Sequence, residues 1–263
     1  MIYIGTSITR NMLDYGTSYL DSLSLHSKYS NFVICCGFKA DDLGLRTRYP
    51  KINFIDVDIN SIKTRAKNGW PANRDGFLTL QSGEFIEYLD VQSDDVVIFT
   101  DYDITIQREP TEAEIEMFEN IGDEEFLMQW DSYPTSKLSE YFPALAAKKS
   151  HAEWESRFGV DLSKMLAYNT GVIVARANAY KTLWASFQVM YDTMTEFFTR
   201  HAAVQFIDCY VIQKDMKATK MPDDMHNGQW FTGNPCRFTE GYMTVNSEKV
   251  LFAHHKFKVH CRY

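Results

Sequence analysis

The chain has 263 residues, 45% hydrophobic and 24% charged, enough for one globular domain that buries a sizeable core. A formal charge of -8 and a pI near 5.4 argue against a nucleic-acid binder held by phosphate contacts. No apolar stretch approaches the roughly 20 residues of a membrane-spanning helix, and Met1 leads into an apolar run without a basic leader or signal peptide, so a cytoplasmic protein is expected.

Ile2 to Ser7 reads as a first strand. Asn11 to Ser27 has helical spacing, with Leu13, Tyr19, Leu20 and Leu23 apolar. Asn31 to Cys36 is a buried strand. Its adjacent Cys35 and Cys36 cannot both face one partner, and five cysteines without regular spacing read as reduced core thiols. Lys51 to Val57 is another strand, and Asp75 to Leu89 predicts a helix with Phe77, Leu78, Phe85, Ile86 and Leu89 on one stripe. Asp95 to Thr100 is a continuous apolar strand of the kind found inside a parallel sheet. Glu124 to Trp130 is strand-like, and Leu166 to Arg176 is a strand carrying an Asn-Thr-Gly turn or bulge. Ala179 to Arg200 predicts a long helix and Asp208 to Gln213 a short one. Lys249 to His255 is a late strand ending in histidines. The tail from Lys256 to Tyr263 is basic and aromatic. It suits docking on a membrane face, contact with another subunit in a homo-oligomer, or closure as a flap over a ligand. Alternating strands and helices without a linker predict the α/β class: one domain with a mixed, mostly parallel sheet flanked by helices.

The most informative stretch is VVIFTDYDI, residues 96 to 104. A buried strand there ends in Asp101-Tyr102-Asp103. Open α/β sheets bind ligands at the carboxyl ends of their strands. Two carboxylates one residue apart repel unless a cation or proton joins them, and strand alternation turns both to one side. They can share one hard cation with substrate phosphates, and Mn²⁺ or Mg²⁺ suits that donor set. Asp-x-Asp after a strand also arises by chance, as loop carboxylates or a helix cap.

The stretch resembles the Asp-x-Asp motif of GT-A glycosyltransferases, whose sheet is Rossmann-like. The surrounding features resemble glycosyltransferase family 8 and its relatives. Ile4-Gly5-Thr6-Ser7 resembles the first strand, whose end meets the nucleotide base, which nominates Thr6 and Ser7. Arg74 matches the basic residue facing the diphosphate, and Asn169-Thr170-Gly171 resembles the Asn-x-Gly beside the sugar. His254 follows a late apolar strand, like the histidine that completes the metal shell. The resemblance departs at Asp208-Cys209, where the family shows Asp-Gln, and its late lysine has Lys256 or Lys258 as counterpart.

The resemblance implies transfer of a sugar, with retention, from a nucleotide sugar (UDP-linked by expectation) to a glycan or other hydroxyl acceptor. Residues 1–105 would form the nucleotide half and residues 106–263 the acceptor half with a C-terminal metal and phosphate segment. Asp101, Asp103 and His254 would hold the metal. Arg74 with Lys256 or Lys258 would meet the diphosphate, and Asp56, Asp58 and Tyr102 would contact the nucleotide. Asn169, Thr170, Gly171 and Asp208 would hold the sugar, with Asp208, Asn169 and Arg74 counted as catalytic. Trp130 and Asp131 are placed for an acceptor.

Each residue also has a plainer reading. His255 competes with His254 as ligand, Arg74 can pair with Asp75 or Glu84, and Asp208 can be a helix N-cap. Asn169 can bridge a bulge, Gly171 can serve a close backbone approach, Asp56 and Asp58 can be loop carboxylates, and Trp130 can be core. Two other functions compete. A sugar nucleotidyltransferase would need a Gly-rich basic segment after the first strand, where ITRNMLDYGTSY has only Arg10 and one glycine. A non-catalytic nucleotide-sugar-binding protein has no evident need of the intact aspartate pair.

Overall fold

Strands that bury both faces need no polar alternation, and the longest apolar runs of the chain become the middle of the sheet. The computed structural model describes residues 1–15, 17–62, 80, 83–131, 137–145, 147–198, 203–228, 237–240 and 242–255. In chain order the elements begin with β1 (Ile2–Thr9), α1 (Ser18–His26), β2 (Ser30–Cys36), α2 (Leu45–Arg48) and β3 (Ile52–Val57). Next come β4 (Val96–Thr100), β5 (Ile104–Ile106), α3 (Glu112–Glu119), β6 (Glu125–Trp130), α4 (Leu138–Tyr141) and α5 (His151–Phe158). They are followed by β7 (Tyr168–Arg176), α6 (Ala177–Phe197), α7 (Ala203–Asp215) and β8 (Lys217–Lys220). The last are β9 (His226–Gly228), β10 (Arg237–Thr239), β11 (Tyr242–Val245), β12 (Glu248–Lys249) and β13 (Phe252–His254).

One seven-stranded sheet runs in the order β3-β2-β1-β4-β7-β6-β8. Four of its six pairings are parallel; β7 alone runs against its neighbours β4 and β6. The expected mixed, mostly parallel α/β sheet is therefore what the chain forms. Alternate side chains feed two cores, one on each face. Phe32, Ile34 and Cys36 of β2 enter the core beneath α6 and α7, while Val33 and Cys35 enter the core beneath α1. The adjacent cysteines thus part company, and burial pushes both thiols up to about 12, which keeps them unreactive. Much of the aromatic surplus goes into the helical side, where Trp154 meets Phe197 at 5.0 Å and Phe206 at 5.2 Å between ring centroids.

Two helix expectations change. The run from Asn11 to Ser27 is a 3₁₀ segment (Arg10–Tyr15) followed by α1, because Thr17 accepts from the Asp21 N–H and opens a new helix. Gly16 between them is a poor helix interior residue. In the 75–89 stretch, the described part is a 3₁₀ turn, Glu84–Tyr88, set by Gly83 at φ +84, a left-handed backbone that no α-helix continues through. Residues 75–79 and 81–82 lie outside the described residues. The helix expected over 179–200 is α6, ending at Phe197, and the short helix near 208 is the longer α7. The late strand splits: Lys249 ends the small β10-β11-β12 sheet, and only Phe252–His254 continues as β13. Among the described residues no helix is long and apolar enough to cross a membrane.

Gln107, only 1% exposed, clamps that late segment to the sheet. Its amide donates to the Met243 and Val250 carbonyls at 3.0 and 3.3 Å and accepts the Met243 N–H at 2.9 Å. Arg108 adds a bond to the Lys249 carbonyl at 2.8 Å while gripping Glu114 with both terminal nitrogens. Gln107→Leu leaves the buried Met243 N–H and Val250 carbonyl without this partner, while the Met243 carbonyl keeps the Val250 N–H, and should cost about 2–4 kcal/mol in urea unfolding. Arg46→Ala, at a far edge of the sheet, should cost under about 1 kcal/mol.

Candidate functional site

The chain order reverses between β1 and β4, which are neighbours although β2 and β3 intervene in sequence. Such a switch point leaves a crevice beyond the carboxyl ends of the strands. A cavity of about 190 Å³ occupies it, lined by Thr6 and Ser7 from β1, Thr100 from β4 and Asp101 just after it, and Thr170 from β7. Gln205 and Asp208 line it from α7. Thr6 is fixed by donating to the Thr100 carbonyl at 2.6 Å, and Ser7 accepts the Leu80 N–H at 3.3 Å.

At the end of β4 the Asp101 N–H still donates to the Gly171 carbonyl at 2.7 Å, so the strand ladder reaches the first aspartate. Tyr102 turns inward, 6% exposed, and packs on Tyr19 with ring centroids 5.6 Å apart. Asp101 and Asp103 consequently share the other side, as strand alternation requires. The chain then enters β5, on which β13 lies antiparallel with His254 opposite Ile104. That pairing brings His254 Nε2 to 3.1 Å from Asp103 Oδ1 and 3.9 Å from Asp101 Oδ2. One donor atom from each of the three residues lies within 4.8 Å of the others.

Two carboxylate oxygens and an imidazole nitrogen this close form a donor set suited to a hard or borderline divalent cation. The backbone is shaped for it as well. A Cβ on Gly171 would stand 2.4 Å from His254 Cε1, so only glycine lets the ring reach the aspartates. His255 points elsewhere: its Nε2 is 2.7 Å from Thr105 Oγ1, and burial pushes the ring down to about 4. Of the two histidines, His254 is the one at the site.

The charges reflect the crowding. Asp101 is pushed up to about 7, first by the protein packed round it and then by the Asp103 charge, with His254 opposing. Burial also acts to raise Asp103, but the adjacent His254 ring outweighs it and holds that carboxyl below its usual range. The two titrate as a pair, and Asp101 is the member held above its usual range; its side chain is half open to water, which weakens the effect of burial there.

Asn169-Thr170-Gly171 is a bulge. Met128 of β6 pairs with Ile173, but the next residue, Gln129, pairs with Asn169. Asn169 braces the loop: its Oδ1 accepts the Gly171 N–H at 2.9 Å and its Nδ2 donates to Asp131 at 3.2 Å. Asp131 and the half-buried Trp130, whose ring carries Lys220 Nζ at 4.2 Å, end β6 at the same edge. Asp208 is inside α7 and 4% exposed, so the N-cap reading fails. Cys209 is turned away, with Sγ 3.3 Å from the Tyr168 carbonyl. Gln205, one turn before Asp208, donates to the same carbonyl at 2.9 Å.

Asp56 and Asp58 are not among the residues lining the cavity. Asp56 accepts from the Ala40 N–H and pairs with Arg46 at 3.2 Å, and Asp58 caps a 3₁₀ turn through the Asn60 N–H. Arg74, Lys256 and Lys258 lie outside the described residues. Sequence reasoning missed Gln205, Gln129 and His226. His226 sits in a short stretch without periodicity, and no local signal marks it.

No protein-family model and no curated protein matches the sequence. Solved structures do match. The galactosyltransferase LgtC, in complex with donor and acceptor sugar analogs, superposes with a TM-score of 0.60 at 12% identity, covering 97% of this chain and 87% of that one. Mouse xyloside xylosyltransferase 1, apo form, gives 0.56 at 10% identity over 97% and 98% of the two chains. The bifunctional glycosyltransferase WbbM gives 0.55 at 12% identity, covering 86% of this chain and 39% of that one. The chain therefore has the GT-A fold.

Two outcomes follow. Gly171→Ala should leave the fold intact but weaken divalent-cation binding at least tenfold, read by calorimetric titration, because His254 is displaced. Asp101→Asn should raise the melting temperature of the metal-free protein. The folded carboxyl titrates near 7 and the unfolded one near 4. Ionising it therefore costs stability progressively between those values, and the gain from Asn should grow over that window and level off above it.

Proposed function

We propose that the chain is a metal-dependent glycosyltransferase that moves a sugar from a nucleotide diphosphate sugar, UDP-linked, to a hydroxyl acceptor. The observation that carries this reading is the Asp101–Asp103–His254 cluster, whose Asp101 lines the switch-point crevice of a GT-A sheet. The similarity to LgtC, whose structure holds donor and acceptor sugar analogs, supports sugars as substrates.

The difficult event is departure of the nucleoside diphosphate while positive character builds on the sugar. The bond from the anomeric carbon to the diphosphate breaks, a bond to the acceptor oxygen forms, and the acceptor proton passes to the departing diphosphate. Mn²⁺ or Mg²⁺ held by Asp101, Asp103 and His254 would supply Lewis-acid stabilisation of the leaving diphosphate. Arg74 with Lys256 or Lys258 adds positive charge for the same group. Thr6 and Ser7 line the nucleotide end, with Tyr102 behind them and Asp56 and Asp58 as more distant contributors. Asp208, with Asn169, Thr170 and Gly171, orients the sugar so that one face of the anomeric carbon meets the acceptor. Trp130 and Asp131, at the end of β6, form the acceptor side. Retention of configuration follows the family-8 resemblance, with Cys209 in place of the family's glutamine. Residues 1–105 act as the nucleotide half and 106–263 as the acceptor half.

Thermal-shift measurements with a panel of nucleotide sugars test the reading directly. A donor at a hundred times its Kd should stabilise the protein by about 2.7 kcal/mol, and only when Mn²⁺ or Mg²⁺ is present. In a turnover assay with that donor, Asp103→Asn should lower kcat/KM by roughly two to three orders of magnitude. Full activity of the variant in the presence of a chelator would refute the metal role.

A further inference from the structure

The three donor residues do not account for a fourth buried group beside them. His226 on β9 is fully buried, and its ring lies near-parallel to that of His254, at 22° with centroids 5.8 Å apart. β9 pairs in parallel with β13, which sets His226 opposite Phe252 and Gly228 opposite His254. The turn that delivers His226 is tied down from several directions. The Met225 N–H donates to the Pro222 carbonyl at 3.0 Å, and Asn227 Nδ2 donates to the Asp223 carbonyl at 3.0 Å. Gln129, 2% exposed and placed on β6 opposite the bulge of β7, donates to the His226 carbonyl at 3.0 Å and to Asp223 Oδ1 at 3.2 Å.

An imidazole has a broad χ2 preference, so the backbone of β13 alone does not set the plane of the His254 ring. Its neighbours must do so. The Gly171 backbone lies at the edge that carries Cε1 and Nδ1, Asp103 Oδ1 stands 3.1 Å from Nε2, and the His226 ring lies near-parallel to it with centroids 5.8 Å apart. With both in place, Nε2 faces the two aspartates; with His226 removed, the ring can turn about χ2 and swing Nε2 away from them. Groups that orient a metal-binding histidine typically change metal affinity 10- to 100-fold when removed.

We propose that His226 is a positioning residue for the cation site: its flat ring, held by Gln129 through the β9 turn, fixes the plane in which His254 presents Nε2 to the cation. This rests on the metal reading of Asp101, Asp103 and His254. The link runs from the acceptor-side strand β6 through Gln129 and His226 to the ligand, so the cation site depends on an element outside the two segments that supply its donors.

The test is titration of the full chain with Co²⁺, followed by visible absorption, and with Mn²⁺, followed by calorimetry. Wild type should show a Co²⁺ spectrum that His254→Ala alters by loss of the nitrogen donor. His226→Ala should shift the spectrum toward that of His254→Ala and weaken Mn²⁺ binding about 10- to 100-fold. His226→Phe, which keeps a flat ring of similar size, should retain the wild-type spectrum and affinity. If His226→Ala fails to fold, His226→Leu fills the space without a flat ring and takes its place with the same expectation. Wild-type spectrum and affinity in His226→Ala or His226→Leu would overturn the inference, as would impairment of His226→Phe equal to that of the non-planar variant. Absence of any cation signal in wild type is a separate outcome that refutes the metal reading itself.

Discussion

Two carboxylates that cannot move apart are the constraint on which this molecule is organised. Asp101 is held by the backbone bond to Gly171, and Asp103 by the pairing of β5 with β13. Tyr102 between them is anchored in the core. Side chains free in a loop would relieve the repulsion by turning into water. Here the strand end keeps them together, and burial first, then the Asp103 charge, hold the Asp101 carboxyl above its usual range. A positive partner would settle both charges, and the His254 ring stands beside them, 3.1 Å from Asp103.

The rest of the architecture follows from delivering that partner. His254 comes from the far end of the chain, carried by a three-stranded sheet, β5-β13-β9, distinct from the main one. It can approach only because β7 bulges at Asn169 to Gly171 and lacks a side chain at the point of contact. The bulge also places the Asn169–Asp131 hydrogen bond at the same edge, which links the Asp101–Asp103–His254 cluster to the end of β6. α7 closes the crevice from the other side with Gln205 and Asp208. These polar groups stand on strand ends and a helix packed on two-sided apolar cores, and such rigid support suits chemistry that relies on preorganised charge.

Much of this was legible in the residues. The runs FVICC and VVIF, residues 32–36 and 96–99, are apolar without alternation because both faces of these strands are buried, so strands and sheet type could be read directly. Asp-Tyr-Asp at the end of such a run could be read as a pair because period-two alternation is a local property. Where the described residues depart from the helices expected over 11–27 and 75–89, the reasons are local too: an apolar stripe with helical spacing does not reveal that Gly83 adopts a left-handed backbone. Asp208 looked like a cap because its neighbours carried no stronger start signal, yet α7 begins at Ala203.

By itself the sequence determined the α/β class, the two-sided central strands and the carboxylate pair at the end of β4, since each depends on side chains a few positions apart. Only the tertiary structure decided that His254 rather than His255 meets that pair, that Gly171 makes the approach sterically feasible, and that Gln129 and His226 stand behind it. Those facts depend on strand register and on contacts between segments about 30 to more than 150 residues apart, and free energy of that kind is written in packing and backbone pairing rather than in any local pattern of residues.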